Sequence, residues 1–208
     1  MEIEPRNWVS RVRRFVARPA MERCENCAAA LPTKHQHLIE VAGRRILCAC
    51  DQCVSVLGMS ERFRTILPRT NVLHNFQLSD AEWDALQIPI DMVFLFHSTV
   101  GGRSVAVYPG PAGPMESALS LDAWSHLVAA NPVLGEMAPD IEALLVNRTK
   151  GAREYYRVSI DRCYALVGLI RTHWQGLSGG AEAWEAINSF FVALRAGANE
   201  PVGGCLHG

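Results

Sequence analysis

The chain has 208 residues, 49% of them apolar, and a formal net charge of −1. This composition fits a soluble globular protein with room for one substantial domain and a small module. No run approaches the roughly 18–20 apolar residues a membrane span needs. Arg18, Pro19 and Arg23 stand where a signal peptide would carry its apolar region, so export is not expected and a reducing cytoplasm is.

In chain order, Arg6 to Arg18 places Trp8, Val12, Phe15 and Val16 on one helical face, an amphipathic helix ended by Pro19. His37 to Val41 and Arg44 to Cys48 read as two short strands turning at Ala42-Gly43. Asp51 to Leu57 reads as the start of a helix. Phe63 to Leu67 and Asn71 to Phe76 look extended, and Ser79 with Glu82 forms a capping box that opens a short helix through Trp83 and Leu86. Ile90 to His97 and Arg103 to Tyr108 are apolar strands joined through Gly101-Gly102, and Pro109 to Pro114 reads as a loop.

A helix from Ser120 or Asp122 runs through Trp124, Leu127 and Val128 and closes at Asn131-Pro132. Ile141 to Val146 and Glu154 to Val158 read as strands, the first also compatible with a helix. Cys163, Leu166, Val167, Ile170 and Trp174 repeat at helical spacing, with a break at Gly176 to Gly180. A last helix, Ala181 to Arg195, carries Trp184, Ile187, Phe191 and Leu194 and stops at Gly197. The final residues, rich in Gly, carry no periodic stripe. The expected division is a metal module with its leading helix over 1–60, an α+β domain over 61–197 and a disordered tail over 198–208. The fold class is α+β: a zinc-ribbon or treble-clef-like module plus a partly antiparallel sheet covered on one face by helices.

Five of the seven cysteines lie between Cys24 and Cys53. Cys24 and Cys27 form one C-x-x-C pair and Cys50 and Cys53 a second, with 22 residues between Cys27 and Cys50. That gap is slightly longer than the about 15–20 of the usual paired-knuckle pattern, and a hairpin fills it. The hairpin would bring four thiolates to one tetrahedral ion, for which zinc comes first and iron second. Rubredoxin-type iron knuckles usually carry Gly and Pro, whereas these continue as Cys27-Ala28-Ala29 and Cys53-Val54, which favours zinc. Cys48 is the surplus sulfur, a neighbour or alternate ligand. His35 and His37 flank the hairpin and enter only as a minor alternative, one imidazole with three thiolates; Cys163 and Cys205 read as core and incidental.

No catalytic constellation is present. Gly176-Leu177-Ser178-Gly179-Gly180 has the spacing of a nucleophile elbow, but helical periodicity precedes it where a strand is required. Ser178 reads as a helix cap. Asp122 and His126, four apart, read as a surface pair, and His97 and His173 stand alone. Arg171 to Trp174 reads as a helix end carrying cations against its dipole. Residues 1–50 hold nine Lys/Arg against five Asp/Glu, net +4, but lack the interleaved aromatics of a nucleic-acid surface. An enzyme is disfavoured, and so is nucleic-acid binding.

Several segments together resemble an uncharacterised bacterial domain-of-unknown-function family, often encoded beside uptake NiFe-hydrogenase genes. They are Phe15 to Pro19, the Cys24 to Cys53 module with Leu47-Cys48-Ala49-Cys50, Ala85 to Pro89, Tyr108 to Gly113, Glu142 to Val146, and Ile160 to Gly180. The resemblance covers about residues 13 to 195 and places Cys48 within the pattern. It implies a cytoplasmic accessory or assembly protein in hydrogenase maturation, with hydrogenase subunits or other maturation proteins as partners. It carries over no catalytic residue. A rubredoxin-like iron electron carrier or redox protector is the first alternative, and a nucleic-acid-binding zinc-ribbon regulator the second.

Overall fold

The structure is a computed structural model that describes residues 22–110, 112–117, 119, 121–176 and 179–197. The helix expected over Arg6 to Arg18, the residues after 197 and Ser178 lie outside the described residues. Two antiparallel sheets organise the described residues.

The smaller sheet has the order β2-β1-β3. Strands β1 (Gln36–Glu40) and β2 (Arg45–Ala49) form the expected hairpin, pairing Glu40 with Arg45 and His37 with Cys48. β3 (Phe63–Ile66) adds to the other edge of β1. Helix α1 (Asp51–Leu57) follows the hairpin directly and contributes Cys53 and Val54 to the module's small core.

The larger sheet has six strands in the order β4-β9-β8-β5-β6-β7: β4 (Thr70–Val72), β5 (Met92–Ser98), β6 (Arg103–Gly110), β7 (Gly113–Ser117), β8 (Glu142–Asn147) and β9 (Glu154–Ser159). Every pairing in it is antiparallel. The two segments expected to be extended after residue 60 therefore divide: β3 completes the small sheet and β4 pairs with β9 in the large one.

The expectation of one covered face needs correction, because both faces are buried. Phe94, Phe96, Leu145 and Tyr156 face helices α4 (Ile160–His173) and α5 (Gly180–Arg195), meeting Cys163, Leu166, Ile170, Ile187 and Phe191. Val93, Leu95, Leu144 and Val146 point the other way, onto Trp83 and Leu86 beside α2 (Asp80–Ala85), Leu127 on α3 (Leu121–Ala130) and Met137. Successive strand residues alternate between faces, so a strand covered twice reads as an unbroken apolar run. Met92 to Phe96 and Ala143 to Val146 are such runs, and their large side chains are almost fully shielded.

Pro109 to Pro114 is also not a loop. β6 continues to Gly110 and β7 returns from Gly113, with Pro109 opposite Pro114. β7 is an edge strand, where Pro114 needs no second ladder partner, and β5 pairs with β6 only as far as Val107. The Ser79 capping box is present: its hydroxyl accepts from the Glu82 N–H and the Glu82 carboxylate accepts from the Ser79 N–H. α5 opens at Gly179, with φ 88 and a Cβ position only 3.0 Å from the Trp174 ring, where no side chain would fit.

The module packs onto the body. Ile39 and Ile66 of the small sheet belong to the same core as Phe94 and Ile170. At the hairpin tip, Arg44 ion-pairs with Glu116 on β7 and sets its guanidinium 5.3 Å from the Phe96 ring centre.

Candidate metal centre

The first knuckle is held by backbone hydrogen bonds. Cys24 N–H donates to Ala29 (2.8 Å), Ala28 N–H returns to Cys24 (2.8 Å), and Glu25 N–H donates to Cys48 (2.9 Å). This last bond ties the knuckle to strand β2. Ala28 takes a left-handed conformation, φ 60, to turn the chain, a region costly for any residue with a Cβ. In the second knuckle Cys50 is the N-cap of α1 and Cys53 sits in its first turn, where Val54 N–H closes onto Cys50 (2.9 Å).

Hairpin and helix thus bring the two C-x-x-C pairs to one place. The four sulfurs of Cys24, Cys27, Cys50 and Cys53 all lie within 4.8 Å of one another. Cys27 and Cys50 approach to 3.6 Å. A zinc ion about 2.3 Å from each of four tetrahedral sulfurs separates those sulfurs by about 3.8 Å, so the cluster has the dimensions of a four-thiolate centre and can hold a metal ion. Cys24 and Cys53 are buried, Cys50 is half-buried and Cys27 is exposed.

The electrostatics also favour a cation. Burial pushes the Cys24 thiol up, but the backbone N–H groups of Cys50, Cys27 and Asn26, with the Cys27 side chain, bring it down to about 6. At Cys53 the Asn26 amide, donating to sulfur at 3.2 Å, favours the thiolate, yet burial and the three neighbouring cysteines push the thiol up to about 12. Cys27 is held above its ordinary value, the Ala29 backbone N–H being outweighed by Cys24 and Cys50. One thiolate forms readily here; four together need positive charge between them.

Cys48 and the two histidines do not join this cluster. Cys48 is grouped instead with the histidines: one potential ligand atom each of His35, His37 and Cys48 lies within 4.8 Å of the others. The local signal was an H-x-H at the start of one hairpin strand and a cysteine placed symmetrically on the other, since His37 and Cys48 are register partners. Residues opposite one another in a hairpin put their side chains on one face. Cys163 is fully buried in the core beneath the large sheet.

The remaining sequence candidates stay apart. Asp122 and His126 are exposed on α3, with no bond between them among the described residues. α4 runs to His173 and so fills the place a nucleophile elbow would give to a strand. At the junction of module and body a cavity of about 940 Å³ is lined by Arg44, Arg45, Glu116, Tyr164 and Arg171, among others. Burial pushes the Tyr164 hydroxyl up to about 12. Among the described residues, no helix is long and apolar enough to cross a membrane.

A family model described as a family of unknown function, DUF5947, matches residues 23–198. The chain belongs to that family. The match spans the cysteine module and the six-stranded sheet alike. Among curated proteins, and among solved structures, nothing matches the chain.

Proposed function

We propose that this chain is a zinc-binding accessory protein, with Cys24, Cys27, Cys50 and Cys53 as ligands, that serves NiFe-hydrogenase maturation by binding other proteins in the cytoplasm. The observation that carries the metal reading is the convergence of four sulfurs from two knuckles within 4.8 Å. The ion fastens the hairpin to α1 and so presents the module as a rigid surface. The partner would meet the cleft at the junction of module and body, where arginines and an apolar wall are both accessible. The hydrogenase role rests on the family resemblance, and no residue here is offered as catalytic.

The experiment is affinity purification from the native host under reducing buffer, with elemental analysis of the eluate. The proposal expects zinc with the chain and hydrogenase subunits or other maturation proteins beside it. Recovery of the chain alone would contradict the maturation role, and recovery without zinc or iron would contradict the metal reading.

One observation favours iron as a second reading. The lack of Gly and Pro at the knuckles does not deprive the sulfurs of N–H donors, since three backbone groups and the Asn26 amide point at Cys24 and Cys53. Such bonds stabilise thiolate-bound iron and tune its potential. Visible absorbance that bleaches with dithionite would establish a rubredoxin-like carrier and remove zinc.

A further inference from the structure

We propose that His35, His37 and Cys48 form a second metal site, distinct from the four-thiol cluster, that takes a soft divalent cation of the zinc class. One ligand atom from each of the three lies within 4.8 Å of the others. The site is enclosed: the side chains of His35 and His37 are 2% and 9% exposed, and Cys48 is buried.

The imidazoles are set for ligation from behind. His37 directs Nδ1 to the Asp161 carboxylate at 2.8 Å. His35 directs Nδ1 to the Pro32 carbonyl at 3.0 Å, with Glu22 at 3.3 Å. A hydrogen on each Nδ1 leaves the lone pair on Nε2. Metal-bound histidines show this pattern, a carboxylate or carbonyl fixing the tautomer and raising the basicity of the far nitrogen. Nε2 of His35 is buried with no hydrogen-bond partner among the described residues. Packing alone does not account for a partnerless nitrogen on an imidazole whose ring centre lies 5.0 Å from that of a second, because a buried acceptor without a donor costs about 1–3 kcal/mol. A metal ion satisfies it.

Two nitrogens and a sulfur select zinc or cobalt over magnesium or calcium. Three donors among the described residues leave a tetrahedral corner to a ligand from outside them. Cys48 is disulfide-bonded in the structure, so the cation enters only after reduction. A phosphine reductant supplies the electron pair and becomes the phosphine oxide by taking the oxygen of a water. That water's two protons convert the disulfide to two thiols, and Cys48 releases its proton on binding the ion.

Asp161 lies in the first turn of α4, so the site links the hairpin to the body.

The test is zinc stoichiometry of the full chain, by elemental analysis after removal of loose metal, in buffer with and without a phosphine. The reduced chain is expected to hold two zinc ions and the oxidised chain one. Cys48→Ser, His37→Ala and His35→Gln should each hold one in either buffer, with an unchanged far-ultraviolet dichroism spectrum. Asp161→Asn keeps all three ligands and should weaken the second zinc about 10–100-fold. A reduced chain holding one zinc that survives His35→Gln and is lost in Cys27→Ser would overturn this site and leave the four-thiol centre intact. One zinc lost in His35→Gln but kept in Cys27→Ser would uphold this site against the four-thiol reading. Two zinc ions untouched by either histidine substitution would also overturn it.

Discussion

The cysteine module and the six-stranded sheet reach order by different means. The sheet is buried on both faces by two apolar clusters, with Phe94, Leu95, Leu144 and Tyr156 wholly shielded. The module's own core holds Leu31, Leu38, Leu47, Ala49 and Val54 alongside three cysteines. A segment with so few large side chains cannot offset the entropy of ordering its knuckles by burial. What it has instead is a set of sulfurs in one place. The contrast teaches that in this fold apolar area stabilises the body while the module, on the proposed metal reading, depends on its donor atoms, so one perturbation should affect the two regions unequally.

The largest expected effect comes from removing a ligand. Cys24→Ser should abolish binding at the four-thiol centre and raise amide exchange across residues 22–58, leaving β5, β8 and β9 protected. The loss is large because structural zinc sites in small domains contribute about 10–16 kcal/mol of apparent binding energy to folding. Uniform exchange across module and sheet would break the comparison.

The converse experiment attacks the sheet. Phe94→Ala should lower global stability by about 3–5 kcal/mol, read by denaturant unfolding, while the folded fraction keeps its full metal content. Metal loss in step with unfolding of the sheet would show the two regions to be one cooperative unit.

A polar counterpart lies at the sheet's other end. Arg157 donates to Glu142 at 2.6 Å and 3.0 Å, and Arg69 reaches the same carboxylate at 2.6 Å. Glu142→Ala takes the closest carboxylate from the buried Arg157 guanidinium, leaving it the Glu136 carbonyl at 2.8 Å and carboxylate at 3.4 Å, and should cost about 2 kcal/mol. The metal content should not change.

The smallest effect sharpens the module's side. Ala28 is left-handed at φ 60, so Ala28→Gly should relieve about 1 kcal/mol of strain, with zinc held slightly longer against a chelator. Faster release would show that the knuckle's turn is not strained.

How much of this was legible in the chain follows from range. The hairpin, its two knuckles and α4 are local patterns, and the structure has them within a residue or two of expectation. The cysteine quartet was readable because spacing within each pair and one short hairpin set the geometry. β7 was missed because an edge strand shows one exposed, irregular face. The unbroken run Met92 to Phe96 signals two covers, but which segments supply the second, Trp83, Leu86, Leu127 and Met137, is set by packing rather than by any local pattern. Asp161 behind His37 was beyond reach, since 124 residues separate them and only the packing of α4 against the hairpin joins them. The grouping of Cys48 with His35 and His37 was out of reach for a related reason: it follows from the cross-strand register of His37 and Cys48, not from proximity to Cys50 along the chain.

The four-thiol centre is tested most directly by X-ray absorption at the metal edge, on the His35→Gln protein purified from its host so that a single site contributes. The account predicts one zinc per chain with a shell of four sulfurs at about 2.3 Å. A shell dominated by nitrogen or oxygen, or protein that is folded over residues 22–58 with no metal bound, would contradict it.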